Sequence, residues 1–236
     1  MPNPVPKSRG EKGKTRVETI YGVLFQAIFA QELRPGTKLS EDEIGAVFNV
    51  SRTIVRAALN RLHSEALVEF KQNRGAFVAS PTTQEAREVF DARLCIEREV
   101  MTRLAPVVDD TQLQLLEEHI EREELAINAG QLAESIQLSG KFHLLAARMA
   151  GNDVLLSFLR SLTSRSSLIL ALHSARHESD CSVDEHVEIV AALRTHDAEA
   201  ASRAMSKHLG HVLQRARLDG NEDAGRTIGE ILSHFG

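Results

Sequence analysis

The stretch SEDEIGAVFNVSRTIVRAALNRL, residues 40–62, decides the fold. Ser40 followed three residues later by Glu43 is a capping-box pair that opens a short helix, with Ile44, Val47 and Phe48 on its inward side. The helix ends near Asn49. Ser51 then caps a second helix. In it Val55, Ala58, Leu59 and Leu62 form the buried stripe, while Arg52, Thr53, Arg56 and Asn60 share the opposite face. One face of the second helix is therefore apolar and the other cationic and hydrogen-bonding.

Upstream, Val17, Ile20, Leu24, Ala27 and Ile28 recur at helical spacing, and the helix is stopped by Pro35 and Gly36. Downstream the period shifts toward two. Val68 and Phe70, then Phe77 and Ala79, flank the turn Gln72 to Gly75 and read as a hairpin with Lys71 and Arg74 near its tip. Helix, helix, turn, helix and hairpin in that order make a winged helix-turn-helix, whose second motif helix fits the major groove. Arg52 and Arg56 lie four apart, so one can fork onto guanine while the other takes a phosphate; which does which stays open. Ser51, Thr53 and Asn60 can bond phosphates or base edges. Gly75 lets the hairpin turn sharply toward DNA, and Arg74 can reach a phosphate or the minor groove.

Pro81 marks a boundary, after which no strand pattern recurs. Breaks at Pro106 to Asp110, Ala129–Gly130, Gly151–Asn152, residues 177–182 and Thr195 to Asp197 cut the remainder into about six helices of an antiparallel bundle. The expected fold is mainly α. A solvated tail (1–14) and a winged helix-turn-helix domain (15–80) precede an all-α domain (81–236), whose end from Asn221 can hold one more short helix. Charge divides in the same place: residues 1–80 carry a balance of +4 and residues 81–236 one of −9, within a net charge of −5. A basic segment joined to a larger acidic one suits nucleic acid at the first and a different partner at the second.

No uncharged apolar run is long enough for a membrane span and no apolar block follows the N-terminus, so a cytoplasmic location is expected. Cys95 and Cys181 form no CxxC and read as packed or inert thiols. Nine of the ten histidines lie beyond residue 80. His186 sits about ten residues before the Thr195 turn and His208 about eleven after it, so antiparallel helices bring them level, and His143 lies on a third helix. Three imidazoles converging in a bundle suit a divalent metal such as Zn, Ni, Co or Mn, although a single helical histidine is usually a packed or surface residue. His173 with His177, and His211 beside His208, have helical two-ligand spacing but read as rim or surface residues apart from His208.

The residues Leu33 to Glu41, Phe48 to Leu62 and Asn73 to Val78 resemble the GntR-type winged-helix repressors. The resemblance places Ser51, Arg52, Thr53, Arg56 and Gly75 at DNA-contacting positions. Three departures stand out: Ile54 where a proline is common, Ala57 where a glutamate is common, and Ser64 to Leu67 without the usual glycine. Residues 82–218, through Arg93 to Glu97, Phe142–His143 with Gly151–Asn152, and Glu185 to Leu193, resemble the FCD effector domain of the FadR subfamily. That resemblance implies a metal site at His143, His186 and His208. The family's aspartate four residues before the first histidine is Ser139 here, which lowers metal affinity or leaves the position to water. Arg93 lies where the family points an arginine into the effector pocket; a surface pair with Glu97 is the alternative.

The implied function is a ligand-responsive transcription repressor. It would bind a palindromic DNA operator as a homodimer and a small carboxylate as effector, with a divalent metal (Zn, Ni or Mn) as cofactor. A histidine-based metallohydrolase with a DNA-binding module is the alternative, but no HExxH, GxSxG, P-loop or GxGxxG motif supports it. A helical adaptor without metal is a third reading.

Overall fold

The computed structural model describes residues 9–173, 181–216 and Leu232. They fall into two compact units, described separately below. Of the described residues, those from 9 to 80 make up the first and those from 81 to 216 the second; Leu232 groups with the first unit, not with the helical domain assigned to 81–236 from the sequence.

The first unit contains α1 (Arg9–Phe29), β1 (Lys38–Leu39), α2 (Glu41–Phe48), α3 (Arg52–Ser64), β2 (Val68–Lys71) and β3 (Gly75–Val78). Its core is the apolar stripe of α1 against α3: Ile20, Leu24, Ile28, Val55, Leu59 and Leu62 are fully buried. Ser40 caps α2 by accepting from Glu43 N, and Asn49 ends it in the left-handed conformation that reverses the chain before α3. Ser51 occupies the N-cap position of α3 but its side chain makes no capping bond.

The hairpin pairs Val68 with Val78, Glu69 with Phe77, Phe70 with Ala76 and Lys71 with Gly75. Strand β1, too short to register as a sequence pattern, adds to its far edge, giving the order β1-β3-β2. Val47, expected inside, is exposed, and so is Phe70. Val47 lies on the side of α2 turned away from the core, and Phe70, on the same strand face as buried Val68, is nonetheless exposed and meets the His63 ring edge-on at 5.2 Å.

The second unit is all helical among its described residues: α4 (Thr83–Leu104), α5 (Asp110–Asn128), α6 (Leu132–Met149), α7 (Asp153–His173), α8 (Cys181–Arg194) and α9 (Ala198–Arg215). The break expected at 177–182 lies largely outside the described residues. Caps set the helix starts: Thr82 for α4, a reciprocal Asp109–Gln112 capping box for α5 and Asp197 for α9. Apolar residues from all six helices form one core, including Met101, Leu116, Phe142, Leu159, Leu193 and Met205.

Within α7, the segment Asp153–Ala171 has a mean hydropathy of 1.2, enough by length and composition to cross a membrane. The expectation that no such stretch exists rested on uncharged runs alone. One side of the segment is packed, with Leu156, Leu159, Thr163, Ser166 and Ile169 buried, and the other is exposed, with Val154, Phe158, Arg160 and Arg165 on it.

Candidate nucleic-acid interface and candidate metal centre

In the first unit Ser51, Arg52, Thr53, Arg56 and Asn60 are all exposed on α3, and its apolar stripe is turned inward. Arg56 donates from Nε and Nη2 to Glu41 at 2.8 and 3.1 Å, and Arg52 makes a similar fork onto Asp42. At the hairpin tip Gly75 has φ +93°, a conformation other residues adopt only with strain, so the turn requires glycine. Arg74 is exposed with its guanidinium carbon 5.6 Å from the centre of the Phe77 ring. A cationic helix face and a basic hairpin tip therefore occupy one small unit. The missing glycine of the 64–67 turn leaves a trace, since Ala66 sits at φ +58°.

In the second unit His143 on α6, His186 on α8 and His208 on α9 are all buried. One ring nitrogen of each lies within 4.8 Å of the others, and Nε2 of His143 stands 3.3 Å from Nε2 of His208. The opposite ring nitrogens each face a carboxylate. His143 Nδ1 lies 2.5 Å from Glu97 Oε2, His186 Nδ1 2.8 Å from Glu123 Oε2 and His208 Nδ1 2.7 Å from Glu185 Oε2. Phe142 stacks on His186 at 4.0 Å between ring centres and closes one side of the cluster.

The charges of this cluster decide the tautomers. Burial is the largest influence on Glu97 and opposes its ionisation, but Arg93 and His143, through charge and hydrogen bonds, together outweigh it and hold the carboxyl at about 2. Burial likewise opposes charge on Glu185, and bonds from His208, Arg215 and His211 hold it well below the usual carboxylate range. Burial also lowers the histidines, His143 to about 4 and His208 well below its ordinary value. Neutral His143 and His208, beside the ionised Glu97 and Glu185, keep their proton on Nδ1. The Nε2 atoms of His143 and His208 then face each other as bare lone pairs. Nε2 of His186 is buried and has no hydrogen-bond partner. Nitrogens so arranged repel unless a cation stands among them. Nitrogen ligands of a tetrahedral zinc ion lie about 3.4 Å apart, and carboxylate-backed histidines are the usual second layer of such sites. The residues therefore fit a divalent metal.

Beside the histidines, Arg93 donates from Nε to Glu97 at 2.7 Å and from Nη1 to Ser166 at 2.8 Å. The pair is 3% and 2% exposed, so the surface pairing considered for it does not apply. Arg93 Nη2 and Thr163 Oγ1 are both buried without a hydrogen-bond partner, an arrangement that calls for an added acceptor. Ser139, one turn before His143, is half-buried. At the neighbouring Gly140 an added Cβ would lie 2.9 Å from Thr163 Cγ2 and 3.2 Å from Ser167 Oγ, so glycine is what lets α6 approach α7 here.

Sequence reasoning missed Glu97, Glu123 and Glu185 as partners of the histidines, along with Thr163 and Ser166. Glu185 bonds both His208 and His211, at 2.7 Å each. Cys95 is exposed; the side chains of His173, His177 and Cys181 lie outside the described residues.

Residues 16–78 match the family model "Bacterial regulatory proteins, gntR family", and residues 88–211, more than half of the chain, match the FCD domain. The chain is a GntR-family regulator with an FCD domain. This GntR–FCD regulator is 30% identical over 233 residues to the HTH-type transcriptional repressor NanR of Escherichia coli (strain K12 / DH10B), covering 87% of this chain and 86% of NanR. It is 29% identical over 202 residues to the HTH-type transcriptional repressor RspR of Escherichia coli K12, covering 85% and 88%. Among solved structures, a GntR regulator from Rhodococcus sp. RHA1 superposes with a TM-score of 0.73 at 24% identity, covering 88% of this chain and all of the other. That likeness supports the mainly α fold with a winged helix-turn-helix. The GntR–FCD regulator is a DNA-binding transcription regulator and not an enzyme; the metallohydrolase reading gains nothing from these relatives.

Proposed function

We propose that this regulator is a metabolite-responsive, cytoplasmic repressor. It binds a palindromic operator as a homodimer and senses a small carboxylate beside a metal held by His143, His186 and His208. The observation that carries the proposal is the three-histidine cluster: three buried rings, one nitrogen of each within 4.8 Å of the others, each ring backed by a glutamate. Nitrogen donors of this kind suit Zn, Ni, Co or Mn. Bound there, the ion would supply positive charge and an open coordination position. Arg93 and Thr163 would then hold the effector's carboxylate through Nη2 and Oγ1, their two buried polar atoms without partners.

Ser139 offers no charge to the metal, so the site keeps more of the ion's positive charge than one with an aspartate would, which favours an anion. The reading of Arg52, Arg56 and the hairpin as the DNA face draws on their exposure in the winged unit and on the repressor names of its relatives. Effector changes DNA affinity to the extent that it binds one arrangement of the dimer more tightly than the other.

Isothermal titration of metal-free protein with Zn, Ni and Mn, followed by a thermal-shift screen of small carboxylic acids with and without the metal, tests this. The expected result is metal binding lost in His208→Ala and an acid whose stabilisation requires the metal and Arg93. Equal metal affinity in wild type and His208→Ala would overturn the metal reading. Undiminished stabilisation by the acids in Arg93→Met would overturn the effector reading.

A further inference from the structure

The two arginines on the outer face of α3 are not free. Arg52 donates from Nε to Asp42 Oδ1 at 2.5 Å and from Nη2 to Oδ2 at 2.6 Å. Arg56 grips Glu41 in the same two-point manner through Nε and Nη2. Both acids lie in the first turn of α2, ten and fifteen residues away in sequence, and the arginine side chains remain 70% and 65% exposed. Exposed ion pairs of this kind add little to stability. Acids in a helix's first turn are explained by its dipole, but the dipole does not explain why two of them each meet an arginine of the DNA-facing helix in a parallel fork.

The choice of edge matters. A guanidinium has five N–H groups; a fork through Nε and Nη2 leaves both protons of Nη1 and one of Nη2 unused. Those remaining protons form the end-on edge, a second pair of parallel donors able to span guanine O6 and N7 in the major groove. Each arginine thus has one edge held by protein and the guanine-reading edge free among the described residues. A phosphate contact needs no such constraint, and a carboxylate beside it would be repelled by the backbone. We infer that Asp42 and Glu41 are positioning residues for DNA reading: they fix Arg52 and Arg56 as guanine readers and neutralise them toward the phosphate backbone. Specificity comes from both effects, because each pair rewards the right base and weakens attachment to arbitrary sequence.

The two acids act through the arginines, so the test must separate affinity from discrimination. Full-length wild type, Asp42→Asn and Glu41→Gln are each used to select sites from a randomised duplex pool. Each protein is then titrated against its best site and a random duplex across a range of salt. The expected result for each amide variant is tighter binding to random duplex, a steeper salt dependence by about one counterion, and at least about a tenfold fall in the ratio of selected to random affinity. One strongly preferred guanine per half-site should be relaxed in each. Arg52→Lys, which keeps the charge but cannot fork, should relax the same guanine as Asp42→Asn. Unchanged selected sites with an unchanged affinity ratio would overturn the inference. So would loss of selected and random binding in equal proportion, the mark of a merely structural role.

Discussion

Replacing Glu97 by glutamine removes one charge from the buried centre while keeping shape. Glu97 is 1% exposed, 2.7 Å from Arg93 Nε and 2.5 Å from His143 Nδ1, and its carboxyl is held at about 2 against an ordinary 4.5. One unit corresponds to about 1.4 kcal/mol, so the ionised carboxylate contributes about 3 kcal/mol to the helical unit at pH 7. Breaking a buried ion pair by removing one partner costs about 3 to 5 kcal/mol, the same scale. The folded-state value lies below the unfolded one, so this stability is present above pH 4.5 and is lost as pH falls toward 2.

Urea unfolding of metal-free wild type and Glu97→Gln, followed by circular dichroism, measures the difference at each pH. The variant should be less stable by about 3 kcal/mol at pH 7, and the gap should shrink by about half between pH 5 and pH 3. His143, lowered to about 4 by burial, contributes a second acid-sensitive effect: its neutral form favours folding above pH 6.5, and that preference is lost as pH falls toward 4. Because Glu97 also raises the His143 pKa, comparing the two proteins at matched pH reads the coupled Glu97–His143 pair. A stability difference below about 0.5 kcal/mol at pH 7, or one that does not change with pH, would refute the reasoning.

Two further substitutions follow from single positions. Ser139→Asp restores a carboxylate one turn before His143 and should tighten zinc or nickel binding at least about tenfold in competition with a chromophoric chelator; unchanged or weaker binding would count against Ser139 facing the metal. Ala66 holds φ +58°, so Ala66→Gly relieves left-handed strain of about 1 to 2 kcal/mol at some entropic cost. A rise of about 1 to 3 °C in the melting temperature of the first unit is expected by calorimetry, and a fall would mean that the turn tolerates alanine without strain.

Much of the fold was legible because local chemistry marks where helices stop. Pro35, Gly130, Gly151 and the caps Ser40, Asp109 and Asp197 each act within a few residues, and the structure places helix ends beside them. Burial was read less well where an element has only one packed side. Periodicity put Val47 inside, yet α2 is short and turns that position to solvent. At the site, the histidines stood out because their type is scarce and turn spacing levels two of them. Their carboxylates did not. Glu123 meets His186 across 63 residues, Glu185 serves His208 and not the adjacent His186, and one acid among 33 carries no local mark of its partner. Arg93 and Glu97 could be paired from their spacing, but their burial depends on α7, which supplies Ser166 from 73 residues away.

Glu185 grips α9 at three successive points: His208, His211 and Arg215 all bond its two oxygens. These positions lie on one side of the helix and span about 10 Å of its axis. Turning the final two turns about their own axis would therefore break their bonds to Glu185. Any ligand that tugs on the His208 imidazole moves a stiff rod, with Arg215 as its far handle.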